Sequence, residues 1–146
     1  MHIHGSFSRV FFLAIMLLAT KSVYGFGNLS ADEVRSLFSG NTVEGDYLEG
    51  QSHSVMNFYS EPFTNYFAGD GKIYSVRGKT RKSGDWRVSE KGYLCFSWEG
   101  KQEKCAPVYK DGDYYKQDMM GKKGKIKWTK TYSTFTAGDT KTLQDR

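Results

Sequence analysis

Three hydrophobic rhythms follow one another along the chain. The first is an unbroken apolar run, Val10 to Ala19, behind the basic Arg9 and ahead of a short stretch ending Val23-Tyr24-Gly25. A positive start, about ten apolar residues and small residues before a break describe a secretory signal peptide. The run is too short to cross a bilayer, which takes about 20 apolar residues. No cysteine near Gly25 could take a lipid. Residues 1–25 are therefore expected to be cleaved, leaving no stable membrane anchor, and 26–146 to form a single domain in the periplasm or outside the cell.

The second rhythm is helical and brief. Ser30-Ala31-Asp32-Glu33 is a capping box, with Leu29 and Val34 placed as its hydrophobic staple and Gly40 closing the segment. Val34, Leu37 and Phe38 then share one face. From Asn41 the period becomes two. The segments that read as strands are Asn41–Glu44, Ser54–Ser60, Thr64–Phe67, Lys72–Arg77, Asp85–Ser89, Tyr93–Trp98, Glu103–Tyr109, Asp113–Lys116 and Lys125–Tyr132. Gly69-Asp70-Gly71, Glu90-Lys91-Gly92, Glu99-Gly100-Lys101 and Asp111-Gly112-Asp113 punctuate them as turns. Short strands joined by such turns predict a mainly β fold: an antiparallel meander forming a small barrel or sandwich, with one short N-terminal helix.

Alternation also assigns an inside. Trp86 and Val88 alternate with Asp85 and Arg87, and Ile126 and Trp128 with Lys125 and Lys127. Taking Tyr74 and Val76 as the inward residues of their strand, the expected lining or core is Tyr74, Val76, Trp86, Val88, Phe96 and Trp98. Pro107 cannot donate to a ladder, so its strand is expected to be an edge or to break there.

Cysteine use agrees with export. Cys95 and Cys105 are the only two, and they fall opposite each other across a turn centred on Gly100. Opposed residues on antiparallel strands lie close enough to be bridged. A disulfide is expected, closing a ring of 11 residues and contributing roughly 2.5–3 kcal/mol in the chain-entropy picture.

Charge changes the picture little. The full chain has 21 basic and 16 acidic residues; loss of Arg9 and Lys21 with the signal peptide leaves 19 against 16. So mild a balance does not imply nucleic acid, and no aromatic-basic binding motif is present. Two basic clusters could still form a patch for anions: Lys79, Arg81 and Lys82, and Lys122 and Lys123 with Lys125 and Lys127.

Candidate catalytic chemistry is sparse. His53 is the sole histidine after residue 25, and its neighbours Ser52 and Ser54 would face away from it on an extended segment. Zinc needs three or four His or Cys ligands, which this inventory lacks. Asp111, Asp113 and Asp118 lack the twelve-residue calcium-loop pattern and read as a turn. No cofactor, metal or catalytic residue is assigned. Glu44, Asp46 and Glu61 leave open an alternative, a small carboxylate-dependent hydrolase.

Several of these segments together resemble a known group. Leu29 to Val34 opens the helix, Gly40 to Gly45 follows, and Tyr66-Phe67 precedes Asp70-Gly71. Then come Gly84-Asp85-Trp86-Arg87-Val88, Leu94-Cys95-Phe96-Ser97-Trp98 with Cys105, and Ala137-Gly138-Asp139. The chain resembles a family of small secreted proteins of unknown function from Gram-negative bacteria such as the rhizobia, with G-x-W, then C-x-x-W and a second cysteine, as the most specific pattern. The resemblance implies export, a disulfide and a compact β fold, and no activity. The expected function is therefore an exported, non-enzymatic β domain that binds a small ligand or an envelope or host partner.

Overall fold

The computed structural model describes residues 27–50 and 60–145. The expected signal peptide, His53 and nearly all of the expected strand Ser54–Ser60 lie outside these residues. The helix forms where the capping box places it: α1 spans Ala31–Phe38, with the Ser30 backbone N–H donating to Glu33 Oε2 at 2.7 Å and Glu33 N–H donating to Ser30 Oγ at 3.3 Å.

Nine strands follow among the described residues: β1 (Asn41–Glu49), β2 (Glu61–Phe67), β3 (Lys72–Arg77), β4 (Thr80–Val88), β5 (Leu94–Trp98), β6 (Lys104–Ala106), β7 (Val108–Asp111), β8 (Tyr114–Met120) and β9 (Ile126–Ala137). They form one antiparallel sheet in the order β6-β5-β4-β3-β2-β1-β9-β8-β7. The sheet curls into a nearly closed barrel, so the expected mainly β meander with one short helix is what the chain forms.

Closure depends on Pro107. The expected strand Glu103–Tyr109 breaks there into β6, which pairs with β5, and β7, which pairs with β8. A residue with no N–H lets one extended segment change partners without orphaning a donor. The buried Gln117 side chain spans the seam. Its Nε2 donates to the carbonyls of Leu94 (2.9 Å) and Ala106 (3.1 Å), while its Oε1 accepts from the Tyr132 hydroxyl at 2.7 Å. On the far side of β7, Leu29 N–H donates to Val108 O at 2.7 Å.

The barrel has two unlike ends. At one, α1 inserts Val34 and Phe38, both fully buried. Phe38 meets Phe67, Tyr132 and Phe135 edge-on with ring centroids 4.9, 5.0 and 5.5 Å away. Edge-to-face contacts of this kind add to the stabilisation from burial alone. Trp86 completes this layer. It packs perpendicular to Phe67 at 5.4 Å and donates its indole N–H to Ala68 O at 2.8 Å. Gly84, on the inner face two residues before Trp86, has no room for a side chain, since a Cβ there would lie 2.1 Å from Ser97 O. The G-x-W pattern thus combines a close approach of β4 to β5 with an indole anchor. The other end collects the β3–β4, β5–β6 and β8–β9 turns, because antiparallel neighbours reverse direction at each step.

Cys95 and Cys105 form the expected disulfide, directly opposed in the β5–β6 register with Cα atoms 4.0 Å apart. It lies on the face opposite Leu94 and Phe96, beside a bidentate Arg87–Glu103 ion pair with both contacts at 2.7 Å. Among the described residues, no helix is long and apolar enough to cross a membrane.

Candidate functional site

The half of the barrel interior away from α1 holds a cavity of about 190 Å³, open on one side among the described residues. Its walls are aromatic, with Tyr47, Phe63, Phe96, Trp98 and Trp128, and its polar groups are Asn65, Ser75, Arg77, Lys82, Lys101, Lys104 and Lys130. Register explains how they meet. Inward positions recur every second residue, so Phe63, Asn65 and Phe67 on β2 face the same way as their partners Arg77, Ser75 and Ile73 on β3. On β4 the inward set is Lys82, Gly84 and Trp86; on β9 it is Trp128, Lys130 and Tyr132.

Lys130 is the most unusual member. It is 7% exposed, and among the described residues its ammonium has neither an ion-pair partner nor a hydrogen-bond acceptor. Instead, Nζ lies 4.2 Å from the Phe96 ring centre, 5.4 Å from Phe63, 5.5 Å from Trp128 and 5.9 Å from Trp98. Aromatic faces attract a cation by about 0.5–2 kcal/mol. The effective cost of burying one is several kcal/mol, so the cage offsets only part of it. Burial, reinforced by the charges of Lys82 and Arg77, lowers the Lys130 pKa to about 7.

Lys82 and Arg77 stand above it. Lys82 Nζ lies 4.0 Å over the Trp98 ring, and burial followed by repulsion from Arg77, Lys101 and Lys104 lowers its pKa to about 8. Arg77 stacks on Tyr47 at 4.2 Å and pairs at the rim with Glu61, at 3.1 Å. Among the described residues, none that lines the cavity is a carboxylate. Deeper in, Asn65 is 1% exposed, and neither its Nδ2 nor its Oδ1 has a hydrogen-bond partner among the described residues. Buried amides are nearly always paired, because an unmet group costs about 1–3 kcal/mol. Lys130 therefore presents a cation to the cavity without a partner among the described residues, while the Asn65 amide atoms are buried out of reach of a water-sized probe.

Of the lining residues expected from sequence, Phe96 and Trp98 wall this cavity and Trp86 belongs to the packed layer beneath. Tyr74 and Val76 are a correction. Strand β3 turns Ile73 and Ser75 inward, and Tyr74 stacks on Tyr66 on the outer face with ring centroids 6.4 Å apart. There, Tyr74 and Val76 border an outer groove with Leu143 and the exposed Arg81 and Lys101, while the partly exposed Lys82 borders both this groove and the cavity. That groove is larger, about 500 Å³, but it holds no buried unpartnered group.

The expected anion patch is divided. Lys82 reaches the cavity, and Arg81 lies on the outer groove. Lys79 lies in the β3–β4 turn, and Lys122 and Lys123 lie in a 3-10 turn between β8 and β9, at the same end of the barrel but outside the lining. Asp111 is paired with Lys116 at 2.6 Å, and Asp118 accepts from Tyr109 and Thr129, so neither is a free ligand for calcium. Glu44 is 3.5 Å from Lys141.

Lys130, Asn65 and Arg77 were not expected in the site. The signal for Lys130 was its phase, since it continues the inward series Ile126, Trp128 and Tyr132. Comparison with protein-family models, with curated proteins and with solved structures finds no match for this chain.

Proposed function

We propose that this protein is an exported, non-enzymatic binding domain that holds a small ligand in the open half of its barrel. The observation that carries the reading is Lys130, a buried cation aimed into a cavity with no counter-charge among the described residues. Binding sites bring apolar walls and convergent polar groups together, and this cavity sets five aromatic rings beside a cluster of basic side chains. A filled core has no use for an unpaired ammonium. Export is supported by the signal-peptide pattern at 1–25 and by the disulfide. Membership of a small secreted Gram-negative family rests on the residues quoted above. The hydrolase alternative lacks its paired carboxylates here, where Glu61, at the rim, is already engaged by Arg77.

Native mass spectrometry of the protein recovered from its own exported fraction tests the reading. The expected result is extra mass of a few hundred daltons or less that disappears on denaturation. The denatured mass should match residues 26–146, lowered by two protons for the disulfide. A bare chain, together with no rise in melting temperature in the presence of small organic anions or their neutral analogues, contradicts it.

A further inference from the structure

The cavity also indicates the class of ligand. Its size sets a first condition: an apolar protein cavity of about 150 Å³ accepts one benzene molecule, so about 190 Å³ has room for one six-membered ring. Its walls set a second. Phe63, Phe96, Trp98 and Trp128 present ring faces and edges, which favour a flat apolar body in offset or edge-on contact. Its charge sets a third, since Lys130 at the interior and Lys82, Lys101 and Lys104 toward the mouth are opposed by no carboxylate in the lining among the described residues. A focused positive potential of this kind draws in anions and repels cations.

Resting on the binding reading above, we infer that the pocket takes a small monocarboxylate built on one flat ring, with its carboxylate on Lys130 Nζ and its ring between the aromatic walls. A carboxylate supplies what the site lacks. It is at once a counter-charge and an acceptor for the ammonium, and such charge-assisted contacts are about twice as strong as neutral ones. Inorganic anions would fill the charge requirement and leave the aromatic walls uncovered.

Calorimetric titration of the intact mature protein at pH 6.5 with benzoate, benzamide and inorganic phosphate separates the possibilities. Benzoate is expected to bind about 10–100-fold tighter than benzamide, the factor that a hydrogen-bonded charge contributes, and phosphate more weakly still. Lys130→Met should remove that preference, bringing benzoate down to within about threefold of benzamide. Should that variant fail to fold, the benzoate-to-benzamide ratio in the unaltered protein decides alone. Equal binding of benzoate and benzamide overturns the carboxylate assignment yet leaves a binding pocket. Phosphate binding as tight as benzoate overturns the ring assignment. Binding of none of the three overturns this inference, and the absence of a native adduct as well overturns the binding reading itself.

Discussion

The two halves of one barrel interior solve the same packing problem in opposite ways. On the helix side, Phe38, Phe67, Trp86 and Tyr132 interlock, and each polar atom they bring in is matched: the Trp86 indole N–H by Ala68 O, the Tyr132 hydroxyl by Gln117. At the open end the strands are the same and the inward alternation continues. Yet the residues presented are Asn65, Ser75, Arg77, Lys82 and Lys130, and a cavity remains between them and the aromatic rings. The first half is optimised for stability. The second keeps a destabilising cation and an unsatisfied amide, the kind of local conflict with folding physics that marks a functional site. Gln117 shows that this sequence can bury a polar side chain fully paired. Asn65, on the inner face of the same barrel, is not.

Substitutions in each half should therefore move stability in opposite directions. Phe38→Ala, in the packed half, should cost about 3–5 kcal/mol in denaturant unfolding, as expected for a large aromatic removed from a tight core. Losing the disulfide through Cys95→Ser with Cys105→Ser should cost roughly 2.5–3 kcal/mol in the same assay. It should also loosen the β5–β6 hairpin that carries Lys101 and Lys104 to the mouth. Lys130→Met, in the open half, should raise stability by about 2 kcal/mol, since replacing a buried charge by an apolar side chain of similar length removes its desolvation cost. A loss of stability comparable to that of Phe38→Ala would place Lys130 in the structural core and erase the contrast. The smallest effect is expected at the cap, where Ser30→Ala should cost about 1 kcal/mol by leaving a helix N–H unmet.

The packed half was largely legible in the sequence and the open half was not, for one physical reason. Reading alternation assumes that apolar positions face inward. That held for Trp86 and Val88 on β4, for Ile126 and Trp128 on β9, and for the disulfide hairpin, where a filled interior or aromatic walls supply the expected pattern. On β3 the assumption inverted the strand. Tyr74 and Val76 are apolar and lie on the outer face near Leu143, while Ser75 and Arg77 are polar and line the pocket. Lys130 shares its inward phase with two aromatic residues, but its charge marks it as solvated to any rule that sorts by polarity. Capping and turn chemistry, being local, gave α1 at its observed bounds, whereas the strand-switching role of Pro107 depended on which strands would meet around the barrel.

Titration of Lys130 tests the central claim, that the open half holds an unpaired buried cation. Its folded pKa of about 7 lies below the ordinary lysine value of 10.5, so between those values the unfolded chain binds a proton that the folded chain does not. Stability should then rise with pH across that window. The charged or titratable groups around it are Arg77, Lys82, Lys101, Lys104, Tyr47 and Tyr132, with Glu61 at the rim. Of these, Lys82, with a pKa of about 8, adds a smaller rise of the same sign above that pH. The unfolding free energy should be measured from pH 6 to 9.5 for the ligand-free protein and for Lys130→Met. The unaltered protein should gain stability from about pH 7 upward, and the variant should start higher, lack the rise between pH 7 and 8 and climb less steeply above it. Parallel curves for the two proteins would contradict the account.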